Sequence, residues 1–143
     1  MEAFLTDGLR SLIELPASSM GEYTVRWPGH IQRYQSTTLT PEELVEAWHF
    51  DEQRPEFTWM EVKVKAAGKT RTWTVEDLGK DGDSSMARAT GLVTVACVMA
   101  WTERQLFDEG IHPPEHLSSE VIHGIIESLQ NQGVSIKLHA SDS

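Results

Sequence analysis

The sequence predicts an α+β fold in which helices pack on a mixed, largely antiparallel sheet. Residues 57–65 and 70–75 both alternate apolar with polar side chains, and a short glycine-containing turn separates them, as in an antiparallel hairpin. Residues 84–107 and 118–133 contain no proline and have the length and apolar content of helices. Strands and helices in this order favour a layer of helices on a sheet.

Three elements are predicted before the hairpin. Residues 6–14 place leucines at helical spacing and should form a short helix that stops before Pro16. Residues 22–27 are rich in β-branched and aromatic side chains and should form a strand that ends at a turn, Pro28–Gly29. Residues 40–43 (TPEE) combine an N-cap threonine with a proline and two glutamates, so a helix should begin there.

The hairpin is expected to bury one face and to leave the other in water. In its first strand Met60, Val62 and Val64 fall on one face, and two lysines and a glutamate fall on the other. In its second strand Trp73 and Val75 share one face with an arginine, and threonines occupy the other.

The second half of the chain begins with a predicted loop at residues 77–83, which hold two glycines and three aspartates. The helix at 84–107 should be largely buried along its middle, because residues 92–101 are apolar except for one threonine. The last helix, 118–133, has serines to cap its start and a glycine to close it. Residues 134–138 then alternate as a short final strand.

Length and composition set further expectations. The 143 residues fit one domain, placed at 1–139, with a tail at 140–143. A net charge of −10 opposes binding to nucleic acid or to an anionic membrane. No apolar run reaches the roughly 18 residues of a membrane span, and the acidic N-terminus is unlike a signal peptide, so we expect a cytoplasmic protein. The single cysteine, Cys97, cannot form an internal disulfide.

Two motifs of known enzymes are only partly matched. Residues 68–70 (GKT) resemble the end of a phosphate-binding P-loop, but Lys63 stands where that motif needs its first glycine, so a hairpin turn is favoured. Residues 112–116 (HPPEH) match the H-x-x-E-H pattern of certain zinc peptidases, although two prolines oppose the helix that would align both histidines. A zinc site at His112 and His116 is therefore a weaker alternative.

The first candidate binding place is the turn at residues 26–30 (RWPGH). It brings a cation, an aromatic ring and an imidazole together where a glycine lets the backbone approach a ligand. The alternative is a surface arginine beside a turn histidine.

The second candidate place is the start of the helix that follows the predicted loop. Ser85 and free helical N–H groups lie there, with Arg88 one turn inside. A cation at this end of a helix is mildly unfavourable with the helix dipole, so a compensating anion would explain it. The alternative is an ion pair of Arg88 with Asp81 or Asp83.

Four motifs occur in order along the chain, namely residues 6–12 (TDGLRSL), 24–30 (TVRWPGH), 85–91 (SMARATG) and 110–115 (GIHPPE). Together they resemble the C-terminal domain of the saccharopine dehydrogenase family, most closely its lysine-dehydrogenase-like branch. The resemblance extends from about Glu2 to Leu138. Trp27 departs from the tyrosine that is commoner in the second motif, and Ala89 departs from the usual threonine in the third.

This resemblance implies a fold of the glyceraldehyde-3-phosphate-dehydrogenase-like C-terminal type and a homodimer. It implies the substrate-binding and dimerisation region of an NAD(P)-dependent oxidoreductase that acts on a C–N bond of lysine, saccharopine or a related amino acid. In such enzymes an N-terminal Rossmann domain binds NAD or NADP. The chain contains no G-x-G-x-x-G, so we expect it to bind no cofactor of its own and to be inactive without that domain.

Five residues are expected to serve the substrate. His30 would be the catalytic residue, as a hydrogen-bonding or proton-handling group, and Arg26 would clamp a carboxylate beside Gly29. Ser85 and Arg88 would add a weaker anion contact, and Arg26 and His30 should converge on one concave surface near the start of the helix at 84–107. The rival hypothesis is a stand-alone, non-enzymatic dimeric binding or scaffold domain derived from the same family.

Overall fold

The computed structural model describes residues 1–49, 56–103 and 109–142. The chain divides into two compact units, Met1–Asp51 and Glu52–Ser143, and each is described by itself. Both combine helices with an antiparallel sheet, so the predicted α+β class is confirmed. None of the helices in the described ranges has both the length and the apolar character that a membrane crossing requires. A single domain at 1–139 stays a prediction.

The first unit contains a two-stranded antiparallel sheet of β1 (Glu2–Thr6) and β2 (Glu22–Arg26). The strand β2 was predicted, but β1 was not. The prediction of a helix over residues 6–14 is wrong in part, because Thr6 is the last residue of β1 and pairs with the first residue of β2. Only Arg10–Glu14 is helical, as a 3₁₀ turn that ends before Pro16.

Two short helices follow, α1 (His30–Gln35) and α2 (Pro41–Ala47). The start of α2 confirms the prediction. The Thr40 hydroxyl accepts from the Glu43 N–H at 3.3 Å, and the Glu43 carboxylate accepts from the Thr40 N–H at 2.8 Å, which is a capping box. His30, predicted to lie in the turn at residues 26–30, is instead the first residue of α1.

The second unit is built on a three-stranded antiparallel sheet of β3 (Phe57–Ala66), β4 (Lys69–Leu78) and β5 (Ser135–Asp142), in the order β3-β4-β5. The predicted hairpin is confirmed. Its turn consists of Ala67 and Gly68 with φ of 48° and 72°, the left-handed pair that a two-residue hairpin turn requires. The strand β5 continues beyond residue 138, so the predicted tail begins inside a paired strand.

Two longer helices complete this unit, α3 (Ser85–Glu103) and α4 (Ser119–Asn131). The helix α4 agrees with its prediction, since the Ser118 hydroxyl accepts from the Val121 N–H at 3.3 Å at its start. The C-terminal residues 104–107 of the predicted third helix lie outside the described residues. In the described part, the buried apolar side chains are those of Ala96, Val121, Leu129 and Val134.

The expected burial along the middle of α3 is wrong. Of its apolar side chains only Ala96 is buried, and the exposed ones include Val93, Val95, Val98 and Met99. The reason is that α3 is apolar on every side, whereas its described packing partners are α4 and the β3–β4 hairpin. Much of its apolar surface is therefore open to solvent.

One face of the sheet, which we term the apolar sheet face, carries Met60, Val62, Val64, Trp73, Val75, Ile136 and Leu138. The expectation that this hairpin face is buried holds only in part. Trp73 and Val75 are partly buried, but Met60, Val62 and Val64 on β3 are 50%, 45% and 50% exposed. Exposure of the hairpin's apolar residues is thus concentrated on the edge strand.

Candidate functional site

Arg26, the last residue of β2, has an exposed side chain. Its Nη1 donates a hydrogen bond to the carbonyl of the adjacent Val25 at 3.0 Å. Within residues 1–49, 56–103 and 109–142 it has no acidic partner. The guanidinium of Arg26 therefore keeps most of its donors available to a ligand.

The turn after Arg26 already holds a carboxylate. Glu2 lies opposite Arg26 in the β1–β2 register, and its Oε1 accepts from the Gly29 N–H at 2.9 Å. Gly29 has a φ of 79°, and a Cβ on it would meet no atom within 4 Å. The backbone at Gly29 is thus open to solvent and presents an N–H that suits a carboxylate oxygen.

His30 is positioned by the start of α1 and by an aromatic neighbour. Its ring stands edge-on to that of Trp48, with centroids 5.1 Å apart and planes at 61°. Tyr34, one turn further along α1, lies with its ring centroid 6.1 Å from that of Trp48. Both ring nitrogens of His30 lack a hydrogen-bond partner within the described part of the chain, so either can meet a ligand.

Ser85 is fully buried and its polar groups are bonded within the second unit. Its hydroxyl donates to Glu56 Oε2 at 2.6 Å and lies 2.8 Å from the Thr58 hydroxyl, while its N–H donates to Glu56 Oε1. These two bonds from Ser85, the hydroxyl first, lower the pKa of Glu56 below its usual value of 4.5. The carboxylate that compensates the start of α3 is therefore internal.

Arg88 is also bound internally, by Asp77 at the end of β4. Its Nε donates to Oδ2 at 3.1 Å and its Nη2 to Oδ1 at 3.4 Å, and Nη2 also donates to the Gln132 carbonyl at 3.0 Å. Arg88 therefore forms an ion pair, as the alternative interpretation predicted, but its partner is Asp77 and not Asp81 or Asp83. This contact ties α3 to β4 and to the turn after α4.

A cleft of about 510 Å³ opens beside this ion pair. Its lining, all from the second unit, includes Phe57, Trp59, Glu76, Lys80 and Arg88. Arg88 therefore borders a space that a small molecule could enter, even though three of its donor contacts are already made.

The predicted site residues fall into two groups. Arg26, Gly29 and His30 belong to the first unit, and Ser85 and Arg88 belong to the second. Their convergence on one surface stays a prediction. Of the four side chains in these groups, only those of Arg26 and His30 have largely uncommitted polar groups, whereas the Gly29 N–H already donates to Glu2.

The structure shows partners of these residues that the sequence did not predict. Glu2 and Trp48 carried no local signal that points to residues 26–30. Asp77 did carry one, because the alternation of Trp73 and Val75 continues to it and places it on the inward face of β4. The predicted loop at 77–83 began too early, since Asp77 and Leu78 are paired with β3.

Metal and nucleotide chemistry find little support in the described residues. They contain no group of three or more His, Cys, Asp or Glu side chains that could hold a metal ion. His112 precedes a 3₁₀ turn, Pro114–His116, rather than sharing a regular helix with His116. The strands described here pair only in antiparallel fashion, whereas a Rossmann-type dinucleotide crevice is built on parallel strands with a glycine-rich turn, so the described residues do not form a crevice of that type for NAD or NADP.

Comparison with models of known protein families and with curated protein sequences finds no match.

Proposed function

We propose that this chain is the substrate-binding and dimerisation region of an NAD(P)-dependent oxidoreductase that acts on a C–N bond of lysine, saccharopine or a related amino acid. In this proposal the fold is of the glyceraldehyde-3-phosphate-dehydrogenase-like C-terminal type, and the chain is similar to the C-terminal domain of the saccharopine dehydrogenase family. One observation carries the proposal. The exposed Arg26 guanidinium has no acidic partner in the described part of the chain, and it lies three residues from an N–H that holds a carboxylate.

The chemistry assigned to these residues is substrate binding and proton handling. An amino-acid carboxylate would replace Glu2 at the Gly29 N–H and pair with Arg26, whose fork of N–H donors matches two oxygens. His30, next in the chain, would exchange a proton with the substrate nitrogen through a free ring nitrogen. The hydride acceptor would be bound by a separate nucleotide-binding domain, and no step on it is assigned to this chain.

Calorimetric titration of the purified chain with L-lysine and with saccharopine tests this proposal. We expect Arg26→Gln to abolish binding and Arg10→Gln, a charge-matched control in the same unit, to leave it unchanged. Glu2→Gln should strengthen binding, because it weakens the internal competitor for the Gly29 N–H. Failure of the unaltered chain to bind either amino acid, or equal binding by both arginine variants, would contradict the proposal.

A second candidate, a non-enzymatic dimeric binding or scaffold domain, is favoured by the half-exposed apolar side chains of β3 and by the internal bonding of Ser85 and Arg88. It predicts a stable dimer whose heat of mixing with amino acids is zero. Because both candidates predict a dimer, the titration with amino acids is the measurement that separates them.

A further inference from the structure

We propose that two copies of this chain associate through the outer edge of β3, on a two-fold axis centred on Val62, to form one six-stranded antiparallel sheet. This pairing rests on the dimerisation part of the proposed function and specifies its interface, and it is independent of amino-acid binding at Arg26. The strand that pairs with the outer edge of β3 is β3 of the second copy.

The strand β3 is ten residues long and lies at one edge of the sheet. No strand in the described ranges pairs with its outer side, which leaves a row of backbone N–H and C=O groups able to template another strand. On the apolar sheet face the side chains along this edge, Met60, Val62 and Val64, are each about half exposed. A neighbouring strand would cover them.

The sequence of β3 is complementary to itself in one antiparallel register. With Val62 opposite the partner's Val62, Glu61 lies opposite the partner's Lys63 and Met60 lies opposite the partner's Val64. Opposite residues then share a face, so apolar side chains meet on the apolar sheet face and charged ones meet on the other. Trp59 also lies opposite the partner's Lys65, which suits a cation–π contact.

The charges near the axis would form a closed network. Within one chain, Lys63 Nζ lies 3.3 Å from Glu61 Oε1. The two-fold axis adds the same pair from the second copy, so each lysine gains a second carboxylate. Moving the centre by one residue to Glu61 or to Lys63 would instead place like charges opposite each other across the axis. The lysines that usually discourage edge pairing thus select this register.

The other edge of the sheet, β5, is not complementary to itself in charge. Pairing β5 with itself about Leu138 would place Lys137 opposite the partner's His139, with no carboxylate between them. Pairing β3 with β5 of another copy would be heterologous and would not close after two copies. Charge complementarity and closure therefore both favour β3.

Sedimentation velocity of charge-reversed full-length chains tests the register. Glu61→Lys and Lys63→Glu should each weaken the homodimer by about tenfold or more, because each places two like-charged pairs opposite one another. An equimolar mixture of the two variants should restore dimers, since the mixed pair is complementary. Lys137→Glu, the matched control on the opposite edge, should leave dimerisation unchanged.

Cysteine cross-linking gives a second readout that does not depend on charge. In a Cys97→Ser background, Val62→Cys should cross-link to itself, because opposite Cα atoms about 4.5–5.5 Å apart suit a disulfide. Met60→Cys and Val64→Cys should cross-link only when mixed. A chain that stays monomeric at high micromolar concentration would overturn both this interface and the dimerisation it specifies. Dimers indifferent to the charge reversals and to the position of the cysteine would overturn the β3 register alone.

Discussion

Arg88 in the second unit is held by three hydrogen bonds, whereas Arg26 in the first unit is held by one bond to a neighbouring carbonyl. The side chains of Arg88 and Asp77 are only 14% and 2% exposed. A guanidinium removed from water needs a carboxylate from its own chain, because an unpaired buried charge is strongly destabilising. An exposed guanidinium can exchange its water for a ligand. The comparison teaches that burial separates a stabilising arginine from one available for binding.

The largest expected effect comes from removing the partner of Arg88. Asp77→Asn leaves the guanidinium buried without a charge partner and should lower the free energy of unfolding by about 3–5 kcal/mol. Urea denaturation measures this change. Asp81→Asn is the control, since Asp81 is 83% exposed and lies 4.0 Å from Lys80, and it should change stability by less than about 0.5 kcal/mol. Equal effects of the two substitutions would refute the distinction between the arginines.

The buried serine at the start of α3 gives the next largest effect. Ser85→Ala removes the hydroxyl that donates to Glu56 and should cost about 1.5–3 kcal/mol, as expected for a hydrogen bond to a charged group. Ser119, the first residue of α4, is exposed and is the matched control. Urea denaturation measures both variants, and Ser119→Ala should change the urea midpoint very little.

Acid should weaken the contact between Ser85 and the Glu56 carboxylate. The pKa of Glu56 is lowered in the folded chain by its bonds from Ser85, so its ionised form is bound more tightly than its protonated form. The resulting stabilisation is complete above the usual value of 4.5 and is lost as the pH falls through the lower pKa of the folded state. The stability difference between the unaltered chain and Glu56→Gln should therefore shrink as the pH falls below 4.5. A difference that is constant with pH would contradict this linkage.

Glycine substitutions should have opposite signs at two positions. Gly29 has a φ of 79°, so Gly29→Ala should cost about 1–2 kcal/mol even though the space around it is open. Gly91 lies within α3 and its added Cβ would also meet nothing within 4 Å, so Gly91→Ala should raise stability by up to about 1 kcal/mol. Thermal unfolding of both variants checks the contrast.

The smallest stability effect is expected at Arg26. Arg26→Ala should change the free energy of unfolding by less than about 0.5 kcal/mol, because its side chain is exposed and makes one bond to an adjacent carbonyl. A loss comparable with that of Asp77→Asn would mean that Arg26 has an internal partner, and would remove the basis for the binding role proposed here.

Elements with local signals were predictable from the sequence. The start of α2 is set by four consecutive residues that form a capping box, and the β3–β4 hairpin by two alternating segments around a two-residue turn. The strand β1 could not be predicted, because it is stabilised by pairing with β2, which begins beyond the intervening 3₁₀ turn. The exposure of α3 could not be predicted either, because apolar composition does not show which neighbours are present to cover it.

The candidate site also contains one part that local sequence predicted and another part that it did not. Arg26, Gly29 and His30 are neighbours in the chain, so their proximity followed from the sequence. The Glu2 carboxylate at Gly29 comes from β1 and the Asp77 carboxylate at Arg88 comes from β4, and only the folded backbone brings them there. Burial decided the role of Arg88, and burial depends on tertiary packing.

The position of β4 between a near and a distant neighbour has a consequence for how the second unit folds. The hairpin with β3 closes through a two-residue turn, and such hairpins form in about 1–10 μs. Pairing with β5 must wait until the chain has been synthesised as far as β5, because α3 and α4 lie between these strands in the chain. Loop-closure entropy makes that step slower. During translation, which adds about 5–20 residues per second, β4 therefore spends seconds with one edge unpaired, and this interval is when a chaperone would be most useful to the nascent chain.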